Sequence, residues 1–327
     1  MGKMDEYLHD YLDDSERFAD QVNGALFGGK QVVRPDELES VDTQSVYLGM
    51  EAGRRENFKT IADKTRMWRG RIIHIITLEN QTYTDYRMVL RNMLAESIGY
   101  HRQWKQKKAN HLRVGDLKTG TDEFLSGITK DEKFVPIITL VVYCGTEHGW
   151  YGARCLHDLL EIDDDMKKYV TNYKLNLYDC HEHDTFDEYH TGLRQLFEVI
   201  RYNKDKEQLK KVIQAGGEAY SNIDSDTREI IDVMTGVRIS KENKTTENGK
   251  ERYNMIKAIE DMIEDGRTEG KMEHLIQLVC KKLRKNKPAA VIAEELEEEL
   301  TQIEKIIEAQ KQVGSYDEEQ ICKLMMG

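Results

Sequence analysis

The chain has 327 residues, 39% hydrophobic and 33% charged, with a formal net charge of -12. That length suits one large domain with an appendage, or two domains. The acidity excludes a general polyanion binder, so any contact with nucleic acid needs a local basic patch. No apolar run approaches the roughly 20 residues that a membrane-spanning helix requires. The opening MGKMDEYLHD has no apolar signal core, and the five cysteines are scattered and form no Cys-x-x-Cys pair. Both features predict a cytoplasmic protein without a disulfide framework.

In chain order, Leu8, Leu12, Phe18, Val22 and Leu26 recur at helical spacing and predict one helix over 4–27, stopped by Gly28-Gly29. Residues 57–65 and 71–79 are expected as two strands of a hairpin, with MWRG as its turn. Thr84 or Asp85 can cap a long helix over 85–108. Residues 109–134 are polar and turn-rich and predict a loop. VPIITLVVYCG is continuously apolar, as in a strand buried on both faces. Residues 173–179 alternate and predict another strand. Helices are expected over 186–203, 205–220 and 226–235. The mixture argues an α/β or α+β core over 1–236.

Composition shifts after Gly236. The polar ISKENKTTENGKE predicts a linker over 237–250, followed by a helical module over 251–327 suited to self-association. Pro288 fits the first turn of a helix over 288–311, and Ser315 with Glu318 has the spacing of a capping box.

The chemistry concentrates at RIIHIITLENQ, where an apolar strand runs into Glu79, Asn80 and Gln81. Across the expected hairpin, Asp63 lies almost opposite the end of the second strand, and cross-strand neighbours are about 5 to 8 Å apart. Asp63 and Glu79 could then share a divalent cation such as Mg²⁺ or Mn²⁺, which prefer oxygen ligands. Arg87 and Arg91 share a helix face, and Arg102, Lys105, Lys107 and Lys108 follow, interleaved with Tyr100 and Trp104. A basic stripe with aromatics suits phosphate contacts. DCHEHD (179–184) has ligand-type side chains but is expected to be a polar loop. His148 and Trp150 are candidate substrate-edge contacts. Cys144 with His148 or His157 lacks the other parts of a nucleophilic site.

Asp63, the strand ending in Glu79-Asn80-Gln81 and the following YTDYRMVLRNMLAESIGY resemble the recombination-promoting nuclease (Rpn), transposase-like family of the PD-(D/E)XK superfamily. GALFGGKQVVRPDELE, FLSGITKDEKFVPIITLVVYCG, LHDLL and EDGRTEGK extend the resemblance over most of the chain, in order. The resemblance implies an α/β restriction-endonuclease-like core, a mixed sheet flanked by helices, with a metal-dependent DNA endonuclease activity and a link to recombination or mobile elements. It implies that Asp63 and Glu79 bind the ion, that the Asn80 backbone carbonyl is a further ligand, and that Gln81 stands where the superfamily has lysine. An acidic residue of the first helix, Glu16 or Asp20, would complete the set.

Overall fold

The computed structural model describes residues 3–41, 64–79, 84–237, 239, 244–247 and 249–326; at 3–6, 74–79, 262–263, 265, 269 and 326 it describes backbone only. The chain divides into two units, Met1–Ile256 and Lys257–Gly327.

The first unit opens with α1 (Lys3–Tyr11) and α2 (Ser15–Phe27), two helices where the apolar spacing predicts one. The break is made by Asp14, whose carboxylate accepts the N–H groups of Glu16 and Arg17 and so caps a new helix. Asp13, beside it, is gripped by the buried side chains of Lys64 and Arg66 at 2.7 and 2.8 Å. Their hydrogen bonds hold the Asp13 carboxyl below the usual range. Gly28, at φ 58°, ends α2 as expected.

Five strands form a mixed sheet in the order β1 (Leu38–Ser40), β2 (Lys64–Trp68), β3 (Arg71–Glu79), β4 (Ile137–Cys144), β5 (Asn176–Asp179). The β2–β3 hairpin is antiparallel, with Trp68 opposite Arg71. Its two-residue turn is Arg69-Gly70, both at positive φ, as a tight hairpin demands. Met67 and Trp68, expected in the turn, belong to the strand. Residues 57–63 of the expected first strand lie outside the described residues.

β3 and β4 pair in parallel, which requires a crossover. The crossover contains α3 (Met88–Val114). This helix starts later and ends later than expected. Asp85 accepts the N–H of Arg87 just ahead of it and does not cap it. At the far end, the stretch predicted as loop folds back and supports further turns. Gln103 bonds both the N–H and C=O of Val135, Trp104 donates to Ser126, and Glu132 joins Lys107 and His111 at 2.9 Å each. Part of that stretch is itself helical, α4 (Asp122–Ser126), capped by Thr121.

Besides two four-residue helical turns, the helices that follow are α5 (Leu193–Tyr202), α6 (Lys206–Gly216) and α7 (Ser225–Thr235). The segment expected as a linker contains structure. β7 (Lys244–Glu247) and β8 (Lys250–Tyr253) pair with each other, and β8 pairs with β6 (Ile223–Asp224). Polar, exposed strands of this kind carry no apolar alternation, which is why composition suggests a linker.

In the second unit, α8 (Met255–Leu283), α9 (Ala289–Leu296), α10 (Leu300–Val313) and α11 (Glu318–Met326) enclose a core of Ile276, Val279, Ile292, Ile303, Ile306 and Ile321. The expected helix over 288–311 is broken at Glu297, which sits in the left-handed region. Pro288 precedes α9 rather than entering it. Ser315 accepts the N–H of Asp317, and Asp317 accepts that of Gln320, so the expected capping box is replaced by Asp317. No helix of the described residues is long and apolar enough to cross a membrane.

Glu198 on α5 is 4% exposed. Arg194 donates to one carboxylate oxygen at 3.3 Å, and the other has no partner among the described residues. Burial outweighs the arginine and raises the carboxyl from 4.5 to about 7. The folded state thus holds this proton more tightly than the unfolded chain. The stabilisation is complete below pH 4.5 and is lost as pH rises through about 7. Glu198→Gln is expected to flatten that part of the stability–pH profile and to raise unfolding free energy near pH 8 by roughly 1–2 kcal/mol, measured by urea denaturation across pH.

Candidate functional site

The site begins with the parallel ladder. Apolar side chains at Ile72, Ile73, Leu140, Val141 and Val142 bury the strands and fix their direction. The register then sets Glu79 beside Cys144, and Tyr143 beside Asp179. The carboxyl ends of β3, β4 and β5 therefore share one edge of the sheet, where open α/β sheets bind ligands.

Of the expected metal and catalytic residues, Glu79 is placed by its backbone as the last residue of β3. Asp63, Asn80 and Gln81 lie outside the described residues. The last described β2–β3 pair is Lys64 with Ile75, so β3 continues past it from Ile76 to Glu79 along β4.

One of the two first-helix acids is engaged elsewhere. Asp20 is 3% exposed. It accepts the N–H of His190 and the N–H and hydroxyl of Thr191, at 2.7 to 3.1 Å. Both its oxygens pin the loop ahead of α5, so Asp20 is removed from the candidate ligands. Glu16 lines a cavity of about 790 Å³ with Arg17, His190, Gln195 and Asp224.

Beyond the strand ends, Asp179 holds two loops together. It accepts the N–H of Trp150 at 2.6 Å and that of His181 at 2.9 Å. His181 in turn donates from Nε2 to the Gly145 carbonyl at 2.6 Å. Asp179, Cys180 and His181 offer ligand atoms within 4.8 Å of one another. Yet the aspartate accepts two backbone N–H groups, and burial pushes the Cys180 thiol well above its ordinary range. A soft, protonated sulfur is unsuited to Mg²⁺ or Mn²⁺. DCHEHD thus forms a loop clamp after a strand.

The same edge carries aromatic rings. Trp150 packs edge-on to Tyr143 at 5.5 Å, and Tyr143 stacks on His148 at 6.4 Å. His148 meets Tyr151 at 4.8 Å, and Tyr151 meets Tyr86 at 6.0 Å. Trp150, expected at the substrate edge, is buried with Met88, Val141 and Tyr143. His148 is exposed. Tyr86 and Tyr151 escaped the sequence reading. The signal that could have found Tyr151 is the Gly-Trp-Tyr-Gly turn directly after the buried strand. Cys144 is fully buried, and His157 donates to the Val170 carbonyl, so no thiol–imidazole pair with His157 is built.

The expected nucleic-acid contacts separate into two groups. At 100° per residue, Arg91, Arg102 and Lys105 fall within an arc of about 60° on α3, Arg87 stands just ahead of the helix, and Lys107 falls on the opposite side. Arg87 and Arg91 both bond Asp85, at 3.1 and 2.8 Å. Burial opposes this, but the two arginines still hold the Asp85 carboxyl below its usual range. Two cations on one carboxylate leave a local positive charge. Lys105 is exposed and Arg102 half-buried. Lys107, by contrast, is tied to Glu132, and Lys108 lies over the Trp104 ring at 5.3 Å. Tyr100 and Trp104 bond the backbone of Ile137 and Ser126. These four residues pack the returning chain onto α3, and Lys107 is withdrawn from the basic face.

No protein-family model, curated protein or solved structure matches the chain.

Asp20→Ala removes the acceptor from three part-buried donors. It is expected to lower unfolding free energy by roughly 2–4 kcal/mol in urea denaturation. Asp20→Asn, which keeps one acceptor oxygen, is expected to lose less.

Proposed function

We propose that the chain is a metal-dependent DNA endonuclease of the Rpn type that its motifs resemble, hydrolysing phosphodiester bonds. The observation that carries this reading is the position of Glu79. It ends the central strand of a mixed sheet, at the edge shared with β4 and β5, and at the start of the helix that follows, Arg87 and Arg91 both bond Asp85. An acid at a strand end beside a positively charged helix is an arrangement suited to a cation and a phosphate.

Asp63, Glu79 and the Asn80 carbonyl are oxygen donors, a set that fits Mg²⁺ or Mn²⁺ and not a thiophilic ion. When bound, such an ion supplies Lewis-acid stabilisation of charge on the phosphodiester. The remaining work falls to the chain itself. The Gln81 amide can orient a water or a phosphate oxygen but adds no charge. Arg87 and Arg91, pre-positioned by Asp85, neutralise the DNA backbone, with Arg102 and Lys105 extending that face. Lys108 sits at its margin over Trp104. The link to recombination or mobile elements comes from the family resemblance. A cytoplasmic setting suits the five free thiols, and the helices of the second unit are proposed to serve self-association.

Gln81 favours a second reading, a weak or inactive nuclease-fold protein that binds DNA or a partner. The two are separated by nicking of supercoiled plasmid. The proposed enzyme nicks with Mg²⁺ or Mn²⁺ and stops with EDTA. Glu79→Ala and Asp63→Ala lower the rate by roughly a hundredfold or more with the fold intact. Gln81→Lys raises it. A wild type that never nicks yet binds DNA with salt-sensitive affinity favours the second reading.

A further inference from the structure

The ring series at the carboxyl edge of the sheet is more than packing. Its inner members, Trp150 and Tyr143, are 8% and 3% exposed, whereas Tyr151 and Tyr86 are 50% and 59% exposed. Tyr151 is nevertheless tied down, and Tyr86 packs edge-on to it. The Thr84 N–H donates to the Tyr151 hydroxyl at 3.2 Å, and the His148 ring bonds the Tyr143 hydroxyl at 3.2 Å. Two glycines allow the close fit. A Cβ at Gly145 would meet the Tyr143 hydroxyl at 2.3 Å, and one at Gly152 would meet Thr84 and Trp150 at 2.7 Å. Large rings held rigid and left in water carry a solvation cost that a binding partner removes.

The neighbouring charge selects the partner. Tyr86 directly precedes Arg87, and Arg91 lies one turn further on, both sharing Asp85. Aromatic faces beside a net positive helix start match a strand of nucleic acid, whose bases stack while its phosphates are neutralised. Bases inside a duplex are already stacked and present no free face.

We propose that Tyr86 and Tyr151, supported by His148, Tyr143 and Trp150, form a platform for unpaired nucleobases. On this view the substrate is single-stranded, or carries a frayed or distorted segment, where it meets the sheet edge. The claim that these bases belong to a substrate rests on the nuclease reading; the platform itself does not.

The test uses the full chain in EDTA, so that cleavage is suppressed. Fluorescence anisotropy is read with a labelled oligo(dT) strand, the same strand annealed into a duplex, and a strand of equal length made abasic. The wild type binds oligo(dT) more tightly than either other probe. Tyr86→Ala and Tyr151→Ala weaken oligo(dT) binding by roughly five- to a hundredfold and leave the duplex unchanged, while Tyr151→Phe stays within about twofold of wild type. Both tyrosines are exposed, and circular dichroism checks that the variants fold. Three results overturn the proposal: alanine variants that bind oligo(dT) like wild type, an abasic strand that binds as well as oligo(dT), or a wild type that prefers duplex. Plasmid nicking measured in parallel keeps the two ideas apart. Stacking without nicking sinks the nuclease and spares the platform; nicking with unaffected alanine variants does the reverse.

Discussion

The parallel pairing of β3 with β4 is the constraint from which the rest of the first unit follows. Eight residue pairs, from Ile72 with Ile137 to Glu79 with Cys144, fix the two strands in one direction. Parallel neighbours cannot be joined by a tight turn, so the chain must leave the sheet and return. It does so through α3, which brings Arg87 and Arg91 into the chain soon after Glu79. The same pairing gathers the carboxyl ends of three strands at one edge. An acid, a basic helix start and an aromatic edge thus come from one topological requirement.

Around that frame, carboxylates serve two kinds of task. Asp14, Asp20 and Asp179 spend their oxygens on backbone N–H groups, capping α2, pinning the loop before α5 and clamping the loops after β4 and β5. Buried N–H groups at loops need acceptors, and a short side chain supplies two lone-pair-bearing oxygens with little entropy to lose. In sequence these acids look no different from candidate ligands. What separates them is the number of donors already aimed at them. By that measure Asp20 and Asp179 are structural.

The elements that the sequence made legible are those where apolar pattern decides the outcome. β4 is a buried strand because IITLVVYC is almost continuously apolar, and β3 runs largely apolar up to Glu79. The break at Asp14 was hidden because the helical apolar spacing continues across it, and only the capping bonds interrupt the helix. The last turns of α3 depend on Gln103, Trp104, Lys107 and His111 meeting residues 126–135, contacts that no local window contains. The polar hairpin over 244–253 is held by backbone pairing and by polar side-chain pairs such as Lys244 with Glu251, which leave no apolar pattern. At the site, Arg87 stands just ahead of α3 and joins Arg91 through their shared Asp85, whereas the strand-end position of Glu79 followed from periodicity. Lys107 did not, because its partner Glu132 is distant in sequence, and Trp150 did not, because a ring next to a glycine can as easily be core as surface.

The central claim is that Glu79 and Asp63 together hold a divalent cation at the carboxyl edge of the sheet. Anomalous diffraction from crystals soaked in Mn²⁺ tests it most directly. The account predicts a manganese peak with carboxylate oxygens of both residues at about 2.0–2.2 Å, the range expected for a small octahedral cation. A peak elsewhere, at Asp179 for example, or an empty edge with the two carboxylates turned apart, would contradict it.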